Sequence, residues 1–253
     1  MSVKVGKVFD FIDSIAPFST QEEWDHSGLL IGNRDTEISK VAVCLDVTND
    51  TVTKAMEFGA DLIVSHHPVI WDPLASVDFN TPVARAVKNN ISVISAHTNW
   101  DFAQGGVNDV LSNMIGLSNI RRLTEEGDLS MLRMGELKRP VPAEEFADVV
   151  AAALDTVLRV TSPEKMISKV AVCGGAGACF LPMLPEYGID AYVTGDAKHN
   201  DYLDAIDMDV ALLAAGHYET ETISMPVLLN FLKKEFPELD YKYIESVPAV
   251  YVG

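Results

Sequence analysis

The chain has 253 residues, of which 48% are hydrophobic, and it carries a formal net charge of −18 at pH 7. This length allows one large domain or two modest ones with a sizeable buried core. Because a nucleic-acid backbone and an anionic membrane would both repel such an acidic protein, neither is expected as a principal partner.

The three cysteines, Cys44, Cys173 and Cys179, have no paired spacing. An odd, small number of this kind is typical of reduced thiols in a cytoplasm rather than of a disulfide framework. The N-terminus lacks the apolar segment of a signal peptide, and no stretch approaches the ~20 apolar residues of a membrane span. These features predict a soluble, cytoplasmic protein with Cys44 and Cys173 in its core.

Helices and strands alternate in the first half of the sequence. Apolar residues at helical spacing predict a helix over residues 4–17, and Thr20 with Glu23 has the spacing of a capping box. Continuous apolar runs predict buried strands at residues 40–46, 61–65 and 91–96. Caps and breakers predict helices over residues 48–58, 81–87 and 108–114. This order indicates a parallel α/β sheet with right-handed crossovers.

The stretch Asp61–Pro68 changes character abruptly. Three apolar residues lead into Ser65, and His66 and His67 follow before a proline that cannot donate to a sheet ladder. In open α/β sheets, ligand and catalytic groups commonly lie just beyond the carboxyl ends of strands. Because neighbouring residues on an extended chain point in opposite directions, the two imidazoles can serve two metal ions, or one can bind while the other packs.

A second set of segments repeats the first. The seven residues Ile38–Cys44 recur letter for letter at Ile167–Cys173. A Gly-x-Asp triplet lies 18 residues after Val41 and again 18 residues after Val170. In the same register, Gly195-Asp196 replaces the two histidines. His97 precedes Asp101 by four residues, and His217 precedes Glu221 by four. These matches indicate an internal duplication.

The duplication predicts two similar α/β lobes, related by a pseudo-twofold axis and packed as one compact unit, with a metal site in the cleft between them. We expect a first lobe at residues 1–118, a connecting segment at 119–166 and a second lobe at 167–253. Within the later part, residues 119–136 look charged and irregular. Helices are predicted over residues 142–154 and from Pro226 to Lys234, and a final strand over 249–252.

Seven possible metal donors fall at the carboxyl ends of predicted strands: His66, His67, His97, Asp101, Asp196, His217 and Glu221. Imidazole with carboxylate, and no thiolate, is the ligand set of a catalytic centre rather than of a closed structural zinc site. Such a set can hold two divalent ions about 3.5–4 Å apart, which activate water and stabilise charge on the attacked and leaving oxygens. Taken singly, each histidine can instead be a hydrogen-bonded core group, Asp101 a loop cap, and His217 with Glu221 a simple i,i+4 contact.

Other polar features have two interpretations. Lys198 and His199 follow Asp196 and can contact an anionic substrate at the mouth of a cleft, or lie on the surface. The run Gly174–Gly177 can cradle an anion through its backbone amides, or allow close packing of a helix. His26 lies in a turn-like segment, where a partly exposed loop position is favoured over a ligand role.

At these residues the sequence resembles the GTP cyclohydrolase I type 2 homolog family, also described as Ngg-interacting-factor-three-like dinuclear metal-centre proteins. The matching motifs span almost the entire chain: Trp24-Asp25 with Gly28-Leu-Leu, Leu45-Asp-Val-Thr, Ser65-His-His-Pro, Ala96-His-Thr-Asn-Trp-Asp101, Gly106-Val-Asn-Asp, Thr194-Gly-Asp and Gly216-His-Tyr-Glu-Thr-Glu221. Two positions depart from the family pattern. His26 stands where asparagine is frequent, and Asn200 stands where a histidine commonly follows the Gly-Asp-x-Lys run.

The resemblance implies that His66, His67, Asp101, His217 and Glu221 ligate two divalent ions per subunit, with Glu221 bridging them. It also implies toroidal homohexamers whose sites face an internal cavity. His97 matches a position close to the metals that is not usually a direct ligand, and it is a candidate proton shuttle. The nitrogen and oxygen ligands suit Zn, Mn, Fe, Co or Ni.

The resulting hypothesis is a metal-dependent hydrolase, cyclohydrolase-like or phosphoesterase-like, acting on a small molecule. A non-catalytic metal-binding regulatory or metal-handling scaffold is the alternative from another class. Nothing in the residues identifies GTP as the substrate.

Overall fold

A computed structural model describes residues 2–123, 130–246 and 248–249. Within these residues the strands are β1 (Val3–Lys4), β2 (Gly28–Ile31), β3 (Glu37–Ile38), β4 (Lys40–Cys44), β5 (Leu62–Ser65), β6 (Ser92–Ser95), β7 (Ser118–Arg122), β8 (Arg133–Pro142), β9 (Arg159–Val160), β10 (Met166–Cys173), β11 (Ala191–Thr194), β12 (Ala211–Ala214) and β13 (Asp240–Tyr243).

The α-helices are α1 (Val5–Ile15), α2 (Asn49–Phe58), α3 (Pro82–Lys88), α4 (Thr98–Phe102), α5 (Val107–Met114), α6 (Ala143–Leu154), α7 (His199–Asp207), α8 (His217–Thr222) and α9 (Met225–Glu235). Two 3-10 helices lie at Phe18–Thr20 and Gly177–Tyr187. Among the described residues, no helix combines the length and the apolar character needed to cross a membrane. With these helices and strands, the protein is a mixed α/β protein built on several sheets.

The chain divides into two compact units. The first comprises Met1–Gln104 and Met225–Pro248, and the second comprises Gly105–Ser224 and Ala249–Gly253. This division differs from the predicted lobes at 1–118 and 167–253 with a connector at 119–166. The difference arises because β13, near the end of the chain, pairs with β4 in the first unit, while β8 pairs with β10 in the second.

The first unit contains a five-stranded sheet in the order β13-β4-β5-β6-β2. The first four of these strands are parallel to their neighbours, and β2 runs antiparallel to β6. The central strands are buried on both faces, which explains their continuous apolar sequences. Because β4, β5 and β6 are parallel, their carboxyl ends lie at one edge of the sheet, where the residues that follow them can meet.

The second unit contains a six-stranded sheet in the order β7-β8-β10-β11-β12-β9. The strands β10, β11 and β12 are parallel, and the others pair antiparallel. Side chains alternate along β10, so that Val170 and Val172 join one apolar cluster with α6, while Ala171 and Cys173 join another. A core therefore covers each face of this sheet.

The two units share local details, each observed within its own unit. Val41 of β4 pairs with Leu62, and Val170 of β10 pairs with Ala191 at the same sequence offset. The carboxylate of Asp61 accepts hydrogen bonds from the N–H groups of Ser39 and Lys40, and that of Asp190 accepts them from Ser168 and Lys169. Gly59 and Gly188 both adopt left-handed conformations, with φ of 75° and 63°, at the ends of the preceding helices.

Most predicted elements are confirmed to within a few residues. The prediction of a capping box at Thr20 is wrong, because the Thr20 hydroxyl donates to the Pro17 carbonyl within a 3-10 helix. The described parts of residues 119–136 are less irregular than predicted, since β7 and the start of β8 lie there. Residues 124–129 of that prediction lie outside the described residues. Most of the predicted final strand at 249–252 lies outside the described residues.

Candidate metal centre

Polar side chains follow the parallel strands of the first unit. His66 and His67 come directly after β5, and His97 comes after β6, where it precedes α4. Asp101 lies in α4 itself. One ring nitrogen from each of the three histidines lies within 4.8 Å of the others. The Nε2 atom of His66 lies 3.7 Å from Oδ1 of Asp101. We call these four residues the first cluster.

Each imidazole of the first cluster is held through Nδ1. The Nδ1 atom of His66 hydrogen-bonds to the carbonyl of Ala96 at 2.9 Å. Those of His67 and His97 hydrogen-bond to Asp46 at 2.7 Å and to Asp25 at 2.9 Å. An Nδ1–H that donates to a carbonyl or carboxylate fixes the tautomer and leaves the Nε2 lone pair for a metal ion. The rings therefore have the support expected of metal ligands.

Asp25 organises the loop around His97. Its carboxylate accepts hydrogen bonds from the N–H and O–H groups of Thr98 and from the hydroxyl of Ser27. Burial, the largest single influence, favours the protonated acid, but His97 and the two hydroxyls together hold the pKa of Asp25 well below its ordinary value. Asp25 is therefore a buried carboxylate that fixes both the His97 ring and the start of α4.

Burial lowers the pKa of His97, and this effect exceeds the opposing effect of the Asp25 hydrogen bond. The imidazole is thus neutral at neutral pH, with its proton on Nδ1 toward Asp25 and its lone pair on Nε2. A neutral imidazole of this kind can accept a proton or bind a metal ion. The resemblance implies a position that is not usually a ligand, whereas the geometry includes His97 among the groups that can hold an ion.

The second unit carries its own pair of donors. His217 begins α8 after β12, and Glu221 lies one turn further along the same helix. The Nε2 atom of His217 is 3.1 Å from Oε2 of Glu221, while its Nδ1 atom bonds to Asp196 at 2.7 Å. The hydrogen bond to Glu221 raises the pKa of His217 to about 9, against the opposing effect of burial. We call Asp196, His217 and Glu221 the second cluster.

Glycines make room for the second cluster. A Cβ atom on Gly175 would lie 3.1 Å from Cδ of Glu221 and 3.2 Å from Nε2 of His217, and closer still to a carboxylate oxygen. A Cβ on Gly195 would lie 2.8 Å from Cα of His217. This geometry favours the packing interpretation of the Gly174–Gly177 run, because its glycines allow α8 to approach the end of β10.

The remaining predicted positions divide clearly. Lys198, His199 and His26 are exposed, which favours the surface interpretation of all three. Cys44 and Cys173 are buried, as predicted.

The sequence did not predict that Asp25 and Asp46 hydrogen-bond to histidine rings. Asp46 lies two residues beyond β4, at the same sheet edge as His67, so strand-end position was the available signal.

The donor chemistry of both clusters fits a divalent metal ion. The first cluster offers three supported imidazoles and a carboxylate, and the second offers an imidazole and a carboxylate whose ligand atoms converge. Neither ligand set contains a thiolate, which matches a catalytic or exchangeable site more closely than a structural zinc site.

These features define a class: an α/β protein whose parallel strands end in histidine and carboxylate groups suited to a divalent metal. The family model described as Duf34/NIF3 (NGG1p interacting factor 3) matches residues 3–248. The chain belongs to this family, and the resemblance seen in its motifs is thereby confirmed.

Curated relatives match over most of their length. A GTP cyclohydrolase 1 type 2 homolog of Clostridium perfringens is 30% identical over 247 residues, covering 94% of this chain and 93% of the relative. NIF3-like protein 1 of Drosophila melanogaster is 31% identical over 251 residues, covering 92% of this chain and 84% of that protein.

Solved structures share the fold. A hypothetical protein of Staphylococcus aureus matches with a TM-score of 0.90 at 28% identity, covering 98% of this chain and 99% of that chain. A Bacillus cereus protein related to NIF3 matches with a TM-score of 0.91 at 21% identity, covering 99% of both chains. The second likeness concerns the fold alone.

Proposed function

We propose that this protein binds two divalent metal ions per subunit and is a metal-dependent hydrolase. The ions would be held by His66, His67 and Asp101 of the first cluster with His217 and Glu221 of the second. Glu221 would be the shared ligand that the family resemblance implies. The observation that carries the proposal is the support of every proposed histidine ligand through Nδ1, by a carboxylate or a carbonyl. Ordinary surface or core histidines do not need this arrangement repeatedly, whereas metal ligands do.

The proposal requires the two clusters to act together. We infer an internal duplication, in which equivalent strand ends of two related units supply one shared site in a cleft around a pseudo-twofold axis. The repeated seven-residue segment, the equal strand registers and the matching contacts of Asp61 and Asp190 support this inference.

The residues of the site have separate tasks. When bound, the ions supply Lewis acidity and lower the pKa of water. His97 accepts or delivers a proton through Nε2, and Asp25 holds its ring in the tautomer that this requires. Asp46 and Asp196 keep the rings of His67 and His217 oriented. The name of the bacterial relatives, GTP cyclohydrolase 1 type 2 homolog, is consistent with hydrolysis as the reaction class.

The bridging role of Glu221 predicts a loss of metal in Glu221→Ala. We expect two ions per chain in the wild-type protein, at most one in the variant, and an affinity lower by about 100-fold or more, measured by elemental analysis and metal titration. Hydrolysis of a panel of nucleotides and esters by metal-loaded protein is expected to disappear with the metal. Glu219→Ala, on the same short helix, is the matched control.

Two ions retained by Glu221→Ala would contradict the bridging role. Tight metal binding by the wild-type protein with no turnover of any substrate in the panel would favour the metal-handling scaffold over the hydrolase.

We also propose that the protein assembles as the toroidal homohexamer that the family resemblance implies. Leu74, Val77 and Phe79 expose large apolar side chains in one segment between β5 and α3, with Phe79 86% exposed. Such a concentration of apolar surface is typical of an interaction site. Native mass spectrometry is expected to give six chains for the wild-type protein and smaller species for Phe79→Glu. The exposed control Val157→Glu, in the second unit, is expected to leave the hexamer intact.

A further inference from the structure

Two of the three tryptophans have exposed side chains next to the first cluster. Trp24 is 59% exposed and Trp71 is 46% exposed, whereas Trp100 is fully buried. Indole is large and apolar, so that leaving two of them half in water forgoes a substantial hydrophobic gain. Their position therefore needs a reason other than the stability of the core.

Both exposed indoles contact the same histidine. The ring centre of Trp24 lies 5.8 Å from that of His97, with the planes at 71°. The ring centre of Trp71 lies 5.1 Å from that of His97, with the planes at 85°. Trp71 also lies 6.2 Å from His67, with the planes at 42°. These are edge-to-face or tilted contacts, which involve one part of each indole and leave a large part of its surface open to solvent.

The two tryptophans reach His97 from separate parts of the chain. Trp24 follows the 3-10 helix at Phe18–Thr20, and Trp71 lies in the loop after β5. Self-association through the apolar segment containing Leu74 and Phe79 would account for Trp71 alone. Trp24 lies outside that segment, so its exposure at the same imidazole needs a reason of its own. A small-molecule site next to the first cluster accounts for both, because such sites combine aromatic walls with a few polar groups.

We propose that Trp24 and Trp71 form an aromatic binding surface that takes a planar heteroaromatic ring of the substrate. The ring stacks on an indole face, and its polar edge is directed toward the imidazoles of the first cluster. Stacking on an aromatic side chain tolerates many rings, since each presents a π-face, and the polar groups then provide selectivity. This proposal rests on the proposed function, because it names the class of substrate that the same site would take.

The test measures binding of small probes by calorimetry and by quenching of tryptophan fluorescence. The probes are adenine and nicotinamide, with cyclohexanecarboxamide as a non-aromatic match for nicotinamide. We expect saturable binding and quenching with the two aromatic probes and no saturable binding of the third. The affinity is expected to fall about tenfold or more in Trp24→Ala and in Trp71→Ala, and to be largely retained in Trp24→Phe and Trp71→Phe. Val157→Ala, at an exposed apolar position of the second unit, is the control for a general surface effect.

Unchanged probe affinity in both alanine variants would overturn the proposal, as would the absence of saturable binding of either aromatic probe to the wild-type protein. A change in oligomer mass for Trp71→Ala without a change in probe affinity would also overturn it, because it would assign this indole to a partner chain. The titrations are made on metal-loaded protein and again after chelation. Ring binding that persists without metal supports the aromatic surface even if the metal-loaded protein hydrolyses nothing, so the two proposals fail separately.

Discussion

Replacement of Asp25 by alanine is expected to lower the free energy of unfolding by about 3–5 kcal/mol, a large part of the stability of a typical domain. The Asp25 side chain is fully buried and accepts hydrogen bonds from His97, Thr98 and Ser27. Its removal leaves the N–H of Thr98 and the Nδ1–H of His97 buried without their acceptor, and each orphaned donor costs about 1–3 kcal/mol. Urea denaturation followed by circular dichroism measures the loss.

Asp46→Ala is the matched control for Asp25→Ala. Asp46 also supports a histidine ring through Nδ1, but its side chain is 34% exposed and its lost hydrogen bond is replaced by water. We expect a cost of about 1 kcal/mol or less. Asp25→Asn keeps the size and one acceptor oxygen, and its cost is expected to fall between the two. Equal losses in Asp25→Ala and Asp46→Ala would show that burial of Asp25 contributes nothing to its role.

The central strands of both units could be predicted because a strand that is buried on both faces has a continuous apolar sequence. The run Leu62–Val64 is apolar without interruption, and the polar residues that follow it mark the sheet edge. The strand β7 has no continuous apolar run, since its side chains alternate between half-buried and exposed positions and include two arginines. The membership of β13 in the first unit could not be predicted, because its pairing with β4 joins residues about 200 positions apart.

The donors of the candidate site could be predicted from the sequence, but the groups that hold their rings in place could not. His66, His67, His97 and Asp101 could be chosen because strand ends concentrate functional groups, and the structure brings these four together. Asp25 follows no strand, and its link to His97 is a contact between residues 72 positions apart. Such a contact depends on tertiary packing, so local pattern carries no information about it.

Gly175→Ala is expected to lower metal affinity by about 10–100-fold while the fold is retained. Gly175 has a φ of 61°, and its added Cβ would collide with the carboxylate of Glu221 and approach the His217 ring. The carboxylate is the far end of a flexible side chain, so that it can rotate away at little cost to stability. That rotation removes Glu221 from His217 and spoils the convergence of their ligand atoms. Metal titration with an absorbing competitor chelator measures the change.

Gly188→Ala separates this collision from backbone strain. Gly188 has nearly the same φ, 63°, but a Cβ there would meet only the amine of Lys169, at 4.0 Å. Both variants place alanine in the left-handed region, which costs about 1–2 kcal/mol, so their thermal stabilities should fall together. Metal affinity is expected to fall in Gly175→Ala and to stay unchanged in Gly188→Ala. If Gly188→Ala lost metal as strongly as Gly175→Ala, general loosening of the second unit would explain the effect. Displacement of the Glu221 carboxylate would then not be its cause.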